Sequence, residues 1–505
     1  MDSEKNSELT GNAAPHVSDS QLRGQSTLPD GWIYRPRKLG PLHLPWYASP
    51  TAQLLMVAFV CFLCPGMFNA LGGLGGGGQV DPTTADNTNV ILYSVFAFIG
   101  FFAGTICNRL GIKITLAFGG FGYFLYAASF LSYNINQNKG FVYFAGALLG
   151  FCAALLWTAQ GAIMTSYPLE AQKGRFIAWF WVIFNTGAVI GSLVPLGENV
   201  HTNTNSNVSN GTYIGFLVLM FCGFLLAVLL VDSSKVIRKD GSRVIVMKHP
   251  TWVSEFKGLW ETLFTFPWIF LLFPMFWSSN WFYTYQQNSV NAARFDTRTR
   301  ALNGLLYWLM QLAGATFFGL GLDYLPLRRT IKARVAWVVL FTLTMVIWGG
   351  GYDWQKQYTR AGTTADGYVK EDWSSSGYVG PMFLYMFYGF YDACWQTCVY
   401  WYMGAMTNNS RRLANFVGFY KGIQSAGAAV VFRVDALGTS YMAEFISCWA
   451  LLGGSLILAL PLVWFKIQDT VSVEEDLKFS DETVEEVRAG SVSVPGARHE
   501  KEVGV

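Results

Sequence analysis

Residues 64–78 read CPGMFNALGGLGGGG, and they close an apolar run at 52–71. The stretch holds one proline, one asparagine and seven glycines, and proline and glycine are the strongest helix breakers. A bilayer core of about 30 Å needs about 20 apolar residues per helix, which this run supplies. The stretch therefore predicts a membrane-spanning helix that is weakened at Pro65 and ended by glycines.

The composition of the 505-residue chain is typical of an integral membrane protein. Hydrophobic residues make up 52% and charged residues only 13% of the chain, whereas soluble domains carry about 25% charged residues. All eight cysteines lie in apolar runs, and no His or carboxylate cluster lies near the pair Cys61 and Cys64. These cysteines indicate small apolar residues of membrane helices, not a disulfide framework or a metal site.

Twelve apolar runs predict membrane helices, and they are divided six and six by the longest basic loop. The runs lie at 52–71, 90–108, 114–133, 141–166, 176–197, 213–231, 268–287, 301–322, 335–350, 379–406, 414–437 and 441–465. We therefore predict five regions. They are a disordered cytoplasmic tail at 1–50, a six-helix half at 51–231, a cytoplasmic loop at 232–266, a second six-helix half at 267–465 and an acidic cytoplasmic tail at 466–505.

The basic residues predict the orientation. With a cytoplasmic N-terminus the inner loops hold 16 Lys and Arg and the outer loops hold seven, so the positive-inside rule predicts that both termini are cytoplasmic. The sequons at Asn207 and Asn210 then lie outside, where glycosylation is expected, and the sequon at Asn408 lies inside. The sequence does not distinguish the plasma membrane from an endomembrane.

Three short motifs occur in the same order in the two halves, which suggests a duplicated transporter. The matched positions are Pro65 and Pro274 in helices one and seven, Gly104–Lys113 and Gly319–Arg329 after helices two and eight, and Arg175 and Arg412 at helices five and eleven.

The segment 104–113 is the most specific of these motifs. It resembles the loop between helices two and three of the major facilitator superfamily, which reads G-x-x-x-D-R-x-G-R/K-R/K. The glycine permits close helix contact, and the basic residues interact with helix ends; a plain positive-inside loop is the alternative. Asn108 replaces the usual Asp, whereas Asp323 keeps it in the second half. The predicted inner-face gate comprises Gly104, Asn108, Arg109, Lys113, Glu170, Arg175, Asp323, Arg328, Arg329 and Arg412.

The stretch at 64–78, the pattern Glu170-x2-Lys173-Gly-Arg175 and FNTGAVIGSL at 184–193 resemble the fungal form of the uncoordinated-93-like family, a branch of the major facilitator superfamily. The resemblance covers roughly residues 50–465. It implies an all-α fold of twelve transmembrane helices in two pseudo-symmetric halves around a central cavity. It implies no substrate, because family members include channel regulators, receptor-trafficking partners and presumed transporters.

In that family fold the first helix of each three-helix unit lines the cavity. Pro65, Gly66 and Pro274 are predicted bending points, and the glycines at 72–78 a compliant exit, although Pro and Gly are frequent in membrane helices in general. Neutral amides and aromatic rings on helices one, four, seven and ten suit an uncharged or amphipathic organic solute. The cavity candidates are Asn69, Trp157, Gln160, Asn280, Tyr283, Gln287, Tyr391 and Gln396.

Charged residues inside membrane helices are costly and therefore informative. Asp392 and Lys421 lie at similar depth in helices ten and eleven. One hypothesis is a buried structural ion pair; the other is that Asp392 titrates and exchanges a proton or cation that drives transport. Near the outer ends of helices eleven and twelve, Arg433, Asp435 and Glu444 predict an interfacial charge cluster that closes that side.

The sequence shows no catalytic constellation, no nucleotide-binding P-loop and no nucleic-acid site, so we predict no enzyme and no cofactor or metal. The expected partners are the lipid bilayer and a small-molecule solute. The sequence favours a secondary-active transporter that works by alternating access, with proton or cation coupling as an option. The alternative is a non-transporting regulator or trafficking partner of a channel or receptor, which would bind another membrane protein.

Overall fold

The computed structural model describes residues 29–39, 42–79, 81–167, 173–201, 204, 206–238, 252–407 and 410–469. Within these ranges the regular structure is helical apart from two short antiparallel strands, β1 (Arg37–Leu39) and β2 (Leu42–Leu44). Most of the predicted N-terminal tail, part of the central loop and nearly all of the acidic C-terminal tail fall outside the described residues.

The first half of the chain forms long helices joined by short connections. They are α1 (Pro50–Leu63), α2 (Pro65–Gly73), α3 (Thr83–Gly100), α4 (Ala103–Leu110), α5 (Ile112–Asn136), α6 (Lys139–Ser166), α7 (Lys173–Asn199) and α8 (Asn210–Val228). A 3-10 turn at Gly76–Gly78 lies between α2 and α3.

The second half is more irregular at its start. Its helices are α9 (Trp252–Thr265), α10 (Phe273–Ser278), α11 (Trp281–Thr284), α12 (Thr297–Tyr324), α13 (Arg329–Gln355), α14 (Arg360–Thr363), α15 (Val379–Met406), α16 (Ser410–Ala436) and α17 (Tyr441–Pro461). A 3-10 segment at Pro267–Leu272 precedes α10, and a π-helix at Tyr285–Ala292 follows α11.

The chain is an all-α, multi-pass membrane protein, and helices cover most of each of the twelve predicted runs. In the described part, eight helical segments are long and apolar enough to cross a bilayer. They are Pro50–Gly73, Ile112–Asn136, Lys139–Met164, Trp179–Asn199, Asn210–Val228, Thr297–Leu322, Arg329–Gln355 and Tyr441–Lys466. The other four runs are interrupted or more polar, so the full count of twelve crossings stays a prediction.

The buried apolar side chains form two large, separate clusters. One lies between Leu54 and Val236 and also includes Ala301. The other lies between Phe266 and Ile467 and also includes Ala188. Each half of the chain therefore packs mainly on itself, although the exact limits of the two predicted halves stay a prediction.

The helix that begins at Pro50 is interrupted just before Pro65. Cys64 has φ −101° and ψ −82°, which is not helical, and Pro65 begins the next helix. Gly66 lies at a close helix crossing, because a Cβ there would be 3.2 Å from the Gly187 backbone. Pro274 likewise lies in the first turn of α10, directly after a 3-10 segment. The helix is interrupted before Pro65 and changes from the 3-10 to the α form beside Pro274, whereas bending between conformations stays a prediction.

The glycines that follow α2 are not a compliant exit, and that expectation is wrong. Gly76 and Gly78 are buried, and Gly75–Gly78 all have positive φ. A Cβ on Gly75 would lie 2.1 Å from the Gln287 carbonyl oxygen, and one on Gly78 would lie 2.7 Å from Val208 Cγ2. Glycine is required here because other parts of the chain occupy the space of a side chain.

Candidate functional site

Arg300 at the start of α12 binds the glycine-rich segment of the other half. It is 1% exposed, and it donates from Nε to the Leu74 carbonyl oxygen at 2.9 Å. Its Nη2 donates to the carbonyl oxygens of Gly75 at 2.8 Å and Gln79 at 3.1 Å. The two halves are therefore held together at this end by charge-assisted hydrogen bonds.

The π-helix adds two side-chain bonds to the same segment. Gly76 N donates to Asn288 Oδ1 at 2.7 Å, and Asn291 Nδ2 donates to the Gly73 carbonyl oxygen at 2.9 Å. We call this contact of Gly73–Gln79 with Asn288, Asn291 and Arg300 the outer closure, because it lies at the predicted outer face.

Three buried carboxylates lie beside the outer closure. Asn288 Nδ2 donates to Asp86 Oδ1 at 2.7 Å and to Asp435 Oδ2 at 2.8 Å. Arg360 forms ion pairs with Asp435 and, at 2.8 Å, with Glu444. Asp435 and Glu444 are 2% and 1% exposed, so these two residues form a buried network and not the interfacial cluster that the sequence predicts.

The third member of that predicted cluster lies apart from the other two. Arg433 is exposed, and its Nη1 donates to Asn87 Oδ1 at 3.1 Å. Among the residues whose side chains the structure places, no three His, Cys, Asp or Glu side chains are arranged to hold a metal ion.

A small cavity of about 50 Å³ lies beneath the outer closure, between the two halves. Three predicted cavity residues, Asn69, Tyr283 and Gln287, line it. Asp86 and Trp308 also lie on its wall. The cavity is therefore polar on several sides and is formed by both halves of the chain.

Asp392 lies in the buried interior of α15 and accepts hydrogen bonds from four neutral donors. Oδ2 accepts from the Tyr283 hydroxyl at 2.8 Å, Gln311 Nε2 at 2.5 Å and the Tyr307 hydroxyl at 3.2 Å. Oδ1 accepts from Gln396 Nε2 at 3.3 Å. These donors stabilise the ionised carboxylate without a cation.

The predicted ion pair between Asp392 and Lys421 is wrong, because the two groups are separated by amide side chains. Lys421 Nζ donates to Gln424 Oε1 at 3.1 Å. Gln424 Nε2 donates to Gln396 Oε1 at 3.2 Å, and Gln396 in turn donates to Asp392. Sequence separation along two neighbouring helices did not reveal which side each residue faces.

Of the other predicted cavity residues, some join the row of hydrogen-bonded amides formed by Gln396 and Gln424, which we call the amide chain, and others pack elsewhere in the bundle. Asn280 Oδ1 accepts from Gln424 Nε2 at 2.8 Å, so it joins the chain. The Trp157 ring packs edge-on against Phe184 at 5.4 Å, and Gln160 is buried one turn further along α6.

Tyr391 is a wrong cavity prediction, because its side chain packs between helices of the second half and does not line the cavity. Its hydroxyl is hydrogen-bonded to Thr344 Oγ1 at 2.8 Å, and its side chain is fully buried. This contact joins α13 to α15, one position before Asp392. Adjacent residues on a helix face different sides, so Tyr391 and Asp392 have different surroundings.

The predicted inner-face gate is only partly described. Arg109 and Arg328 are exposed, Gly104 and Lys113 are half-buried, and Arg329 Nη2 donates to the Gly404 carbonyl oxygen at 3.2 Å. Other predicted members lie outside the described residues or side chains. They are Asn108, Glu170, Arg175, Asp323 and Arg412. The gate therefore stays a prediction.

The predicted glycosylation sites lie at the start of α8. Asn210 is exposed and its Oδ1 accepts from Asn134 Nδ2 at 2.7 Å. Asn207 is half-buried. Modification of either residue stays a prediction.

Sequence reasoning missed most of the outer closure. Arg300 and Arg360 were counted only as loop charges, and Asp86 precedes the predicted run at 90–108. The available signal was the glycine cluster, because consecutive glycines expose carbonyl groups that attract a buried donor such as Arg300.

Known proteins of a fungus and a plant resemble this chain along most of its length. A family model described as the ion channel regulatory protein UNC-93 matches residues 77–458. An UNC93-like protein of Schizosaccharomyces pombe is 51% identical over 445 residues, which is 88% of each chain. UNC93-like protein 1 of Arabidopsis thaliana is 42% identical over 84% of this chain and 92% of its own.

Two solved transporter structures share the fold. A D-xylose-proton symporter aligns with a TM-score of 0.52 at 13% identity, over 82% of this chain and 97% of its own. The nucleoside transporter NupG aligns with a TM-score of 0.55 at 13% identity, over 83% and 100%. The two packed halves thus form a major facilitator fold, and the chain is a member of the UNC-93 family.

Proposed function

We propose that this chain is a secondary-active transporter that moves a small solute by alternating access. The observation that carries the proposal is the outer closure, which lies directly above a cavity between the two halves. The Gln287 backbone lies against Gly75 in the closure, and its side chain lines the cavity. Opening of the closure would therefore change the cavity at the same time.

The contacts across the closure are of a kind that can open and close. The two apolar cores are largely separate, so the two halves can move as bodies without exposing a shared core. The closure includes hydrogen bonds between side chains of one half and backbone groups of the other, which water can replace when the halves separate. We assign the predicted halves, 51–231 and 267–465, as the bodies that rock.

Asp392 is the proposed coupling group. A protonated carboxyl group carries a hydrogen atom of its own and accepts fewer hydrogen bonds, so protonation would displace at least one of its four donors. One of these donors, Tyr283, also lines the cavity. A proton on Asp392 would thereby change the wall of the cavity.

The test begins with an unbiased comparison of metabolites in cells with and without the protein, which supplies a solute. Uptake of that solute into vesicles is then measured with and without a pH gradient. We expect Asp392→Asn to lose accumulation driven by the gradient while it retains exchange of solute across the membrane. Tyr391→Phe is the matched control, because it alters the adjacent side chain, which faces Thr344, and should leave coupled uptake intact.

Normal gradient-driven accumulation by Asp392→Asn would contradict the coupling role. The absence of flux for every solute found would contradict transport itself. The second candidate function is regulation of another membrane protein, which the description of the family model favours. Co-purification of a membrane partner in fixed ratio, together with no flux, would establish that alternative.

A further inference from the structure

Lys421 carries a charge deep in α16 without a carboxylate partner. Its side chain is half-buried, and its Nζ donates one hydrogen bond, to Gln424 Oε1 at 3.1 Å. Within the described ranges no Asp or Glu lies in ion-pair contact with it. A cation in a membrane helix without a counter-ion is costly, which makes such a residue a candidate for function.

Three aromatic rings surround the ammonium group. Nζ lies 5.0 Å from the ring centre of Tyr420, 5.6 Å from that of Tyr400 and 5.9 Å from that of Trp157. Trp157 belongs to α6 in the first half, whereas both tyrosines belong to the second half. The charge therefore lies where the two halves meet, which is where a transported solute must bind.

Asp392 does not neutralise this charge. Its two oxygens already accept hydrogen bonds from four neutral groups. Gln396 and Gln424 lie between it and Lys421. These two amide side chains are hydrogen-bonded to the Asp392 carboxylate and the Lys421 ammonium group, and they keep the two opposite charges apart.

We propose that Lys421 binds the anionic group of the transported solute, and that Trp157 and Tyr400 contact its apolar part. The solute class is a small organic anion, carrying a carboxylate or a phosphate group. This inference rests on the proposed transport function. Of the two solute classes that the sequence favours, uncharged and amphipathic, it selects the amphipathic one and gives it a negative charge. A neutral solute would leave the Lys421 charge unmatched, and an amine would be repelled by it.

The test is a binding measurement that needs no transport. Full-length purified protein is titrated with phenylacetate, its neutral analogue phenylacetamide, the cation phenethylamine, and phenyl phosphate, and the thermal midpoint is recorded. We expect one or both anions to raise the midpoint and the amide and the amine to have no effect. The two anions distinguish a carboxylate site from a phosphate site.

Substitutions of Lys421 assign the response to its charge. Lys421→Gln should weaken anion binding by about ten- to hundredfold, because a charge-assisted hydrogen bond is lost. Lys421→Arg should retain binding. Lys356→Gln, which removes an exposed lysine, is the control and should bind the anion as the parent does.

A second measurement separates a binding role from a structural one. Without ligand, Lys421→Met should melt at or above the midpoint of the parent, because the substitution removes an unpaired charge from the bundle. A clearly lower midpoint would mean that the ammonium holds the fold together, which overturns the proposal.

The proposal is also overturned if phenylacetamide stabilises as much as phenylacetate, if Lys421→Gln responds like the parent, or if neither anion has an effect. Anion binding without flux of any solute would support the anion site at Lys421 and contradict the transport function. Flux of a neutral solute without anion binding would support transport and overturn the anion site.

Discussion

The guanidinium group of Arg300 donates to the carbonyl oxygen of Leu74 at 2.9 Å, across 226 positions of sequence. The same side chain reaches the carbonyl oxygens of Gly75 and Gln79. One buried cation thus holds three carbonyl groups of a segment that carries almost no side chains.

Removal of the Arg300 charge should open the outer closure. In Arg300→Gln the charge-assisted bonds are lost, each of which is worth about 1.5–3 kcal/mol. We expect a cysteine at cavity position Asn69 to react about tenfold faster, or more, with a membrane-impermeant thiol reagent. The background replaces Cys222, which is exposed, with serine.

Arg298→Gln is the matched control for this prediction. Arg298 lies half a turn earlier in α12 and forms a half-buried ion pair with Asp372, outside the closure, so its loss should leave the labelling rate unchanged. Equal rates in Arg300→Gln and the parent would show that Arg300 does not hold the closure.

Gly75→Ala should disrupt the closure from its other side. The residue has φ +74°, and an added Cβ would lie 2.1 Å from the Gln287 carbonyl oxygen. Positive φ alone costs an alanine about 1–2 kcal/mol, and the backbone overlap adds to it. Gly367→Ala separates the two effects, because Gly367 has φ +81° with nothing within 4 Å. We expect a markedly larger fall in thermal midpoint for Gly75→Ala, and a similar fall for both would contradict the close approach.

The helical fold was predictable because it depends on long apolar runs. Membrane-length hydrophobicity is a sum over about 20 residues, so single errors do not matter. The exceptions are informative. The segment at 268–287 breaks into 3-10, α and π pieces, and Pro267 and Pro274 signalled that irregularity but not its form.

The site was less predictable because it depends on which side of a helix each residue faces. Asp392 and Lys421 lie at similar depth, yet amide side chains separate them. Asp392 and Tyr391 are adjacent in sequence, yet Asp392 is hydrogen-bonded to Tyr283 and Tyr391 to Thr344. For pairings between residues more than 200 positions apart, such as Arg300 with Leu74, the glycine cluster marks one partner, but nothing in a single sequence identifies the other.

Arg360 should be essential for the buried carboxylate network. It pairs with both Asp435 and Glu444, and Arg360→Gln leaves two carboxylates close together without their cation. Breaking a buried pair in this way typically costs about 3–5 kcal/mol. We expect a large fall in the thermal midpoint of the solubilised protein.

The double variant Arg360→Gln with Glu444→Gln tests the cause. Removal of one carboxylate together with the cation lowers the unbalanced charge, so the double variant should be more stable than Arg360→Gln alone. If the fall in thermal midpoint of the double variant equals the sum of the falls in Arg360→Gln and Glu444→Gln, then Arg360 and Glu444 do not interact through charge and the interpretation fails.

The half-buried lysine Lys370, at the predicted outer face, should make the free energy of unfolding depend on pH. Burial lowers the pKa of its ammonium group from 10.5 to about 7, and the charge of Arg300 acts in the same direction while Asp296 opposes it. Its Nζ donates to the Ala292 carbonyl oxygen at 2.5 Å, at the end of the π-helix. Between pH 7 and 10.5 the unfolded state therefore binds more protons than the native state.

Under this linkage the stability contribution of Lys370 rises with pH above about 7, by at most about 1.4 kcal/mol per pH unit. Below that pH the penalty for burying the charge is fully present. Lys370→Met removes the penalty, so it should stabilise the protein most at pH 6 and progressively less toward pH 9, measured as the difference in thermal midpoint. Lys139→Met, at an exposed lysine on the same face, should show no such trend. A constant difference between Lys370→Met and the parent across this range would mean that Lys370 keeps its charge in the native state, and the Ala292 contact would then be that of an ordinary ammonium group.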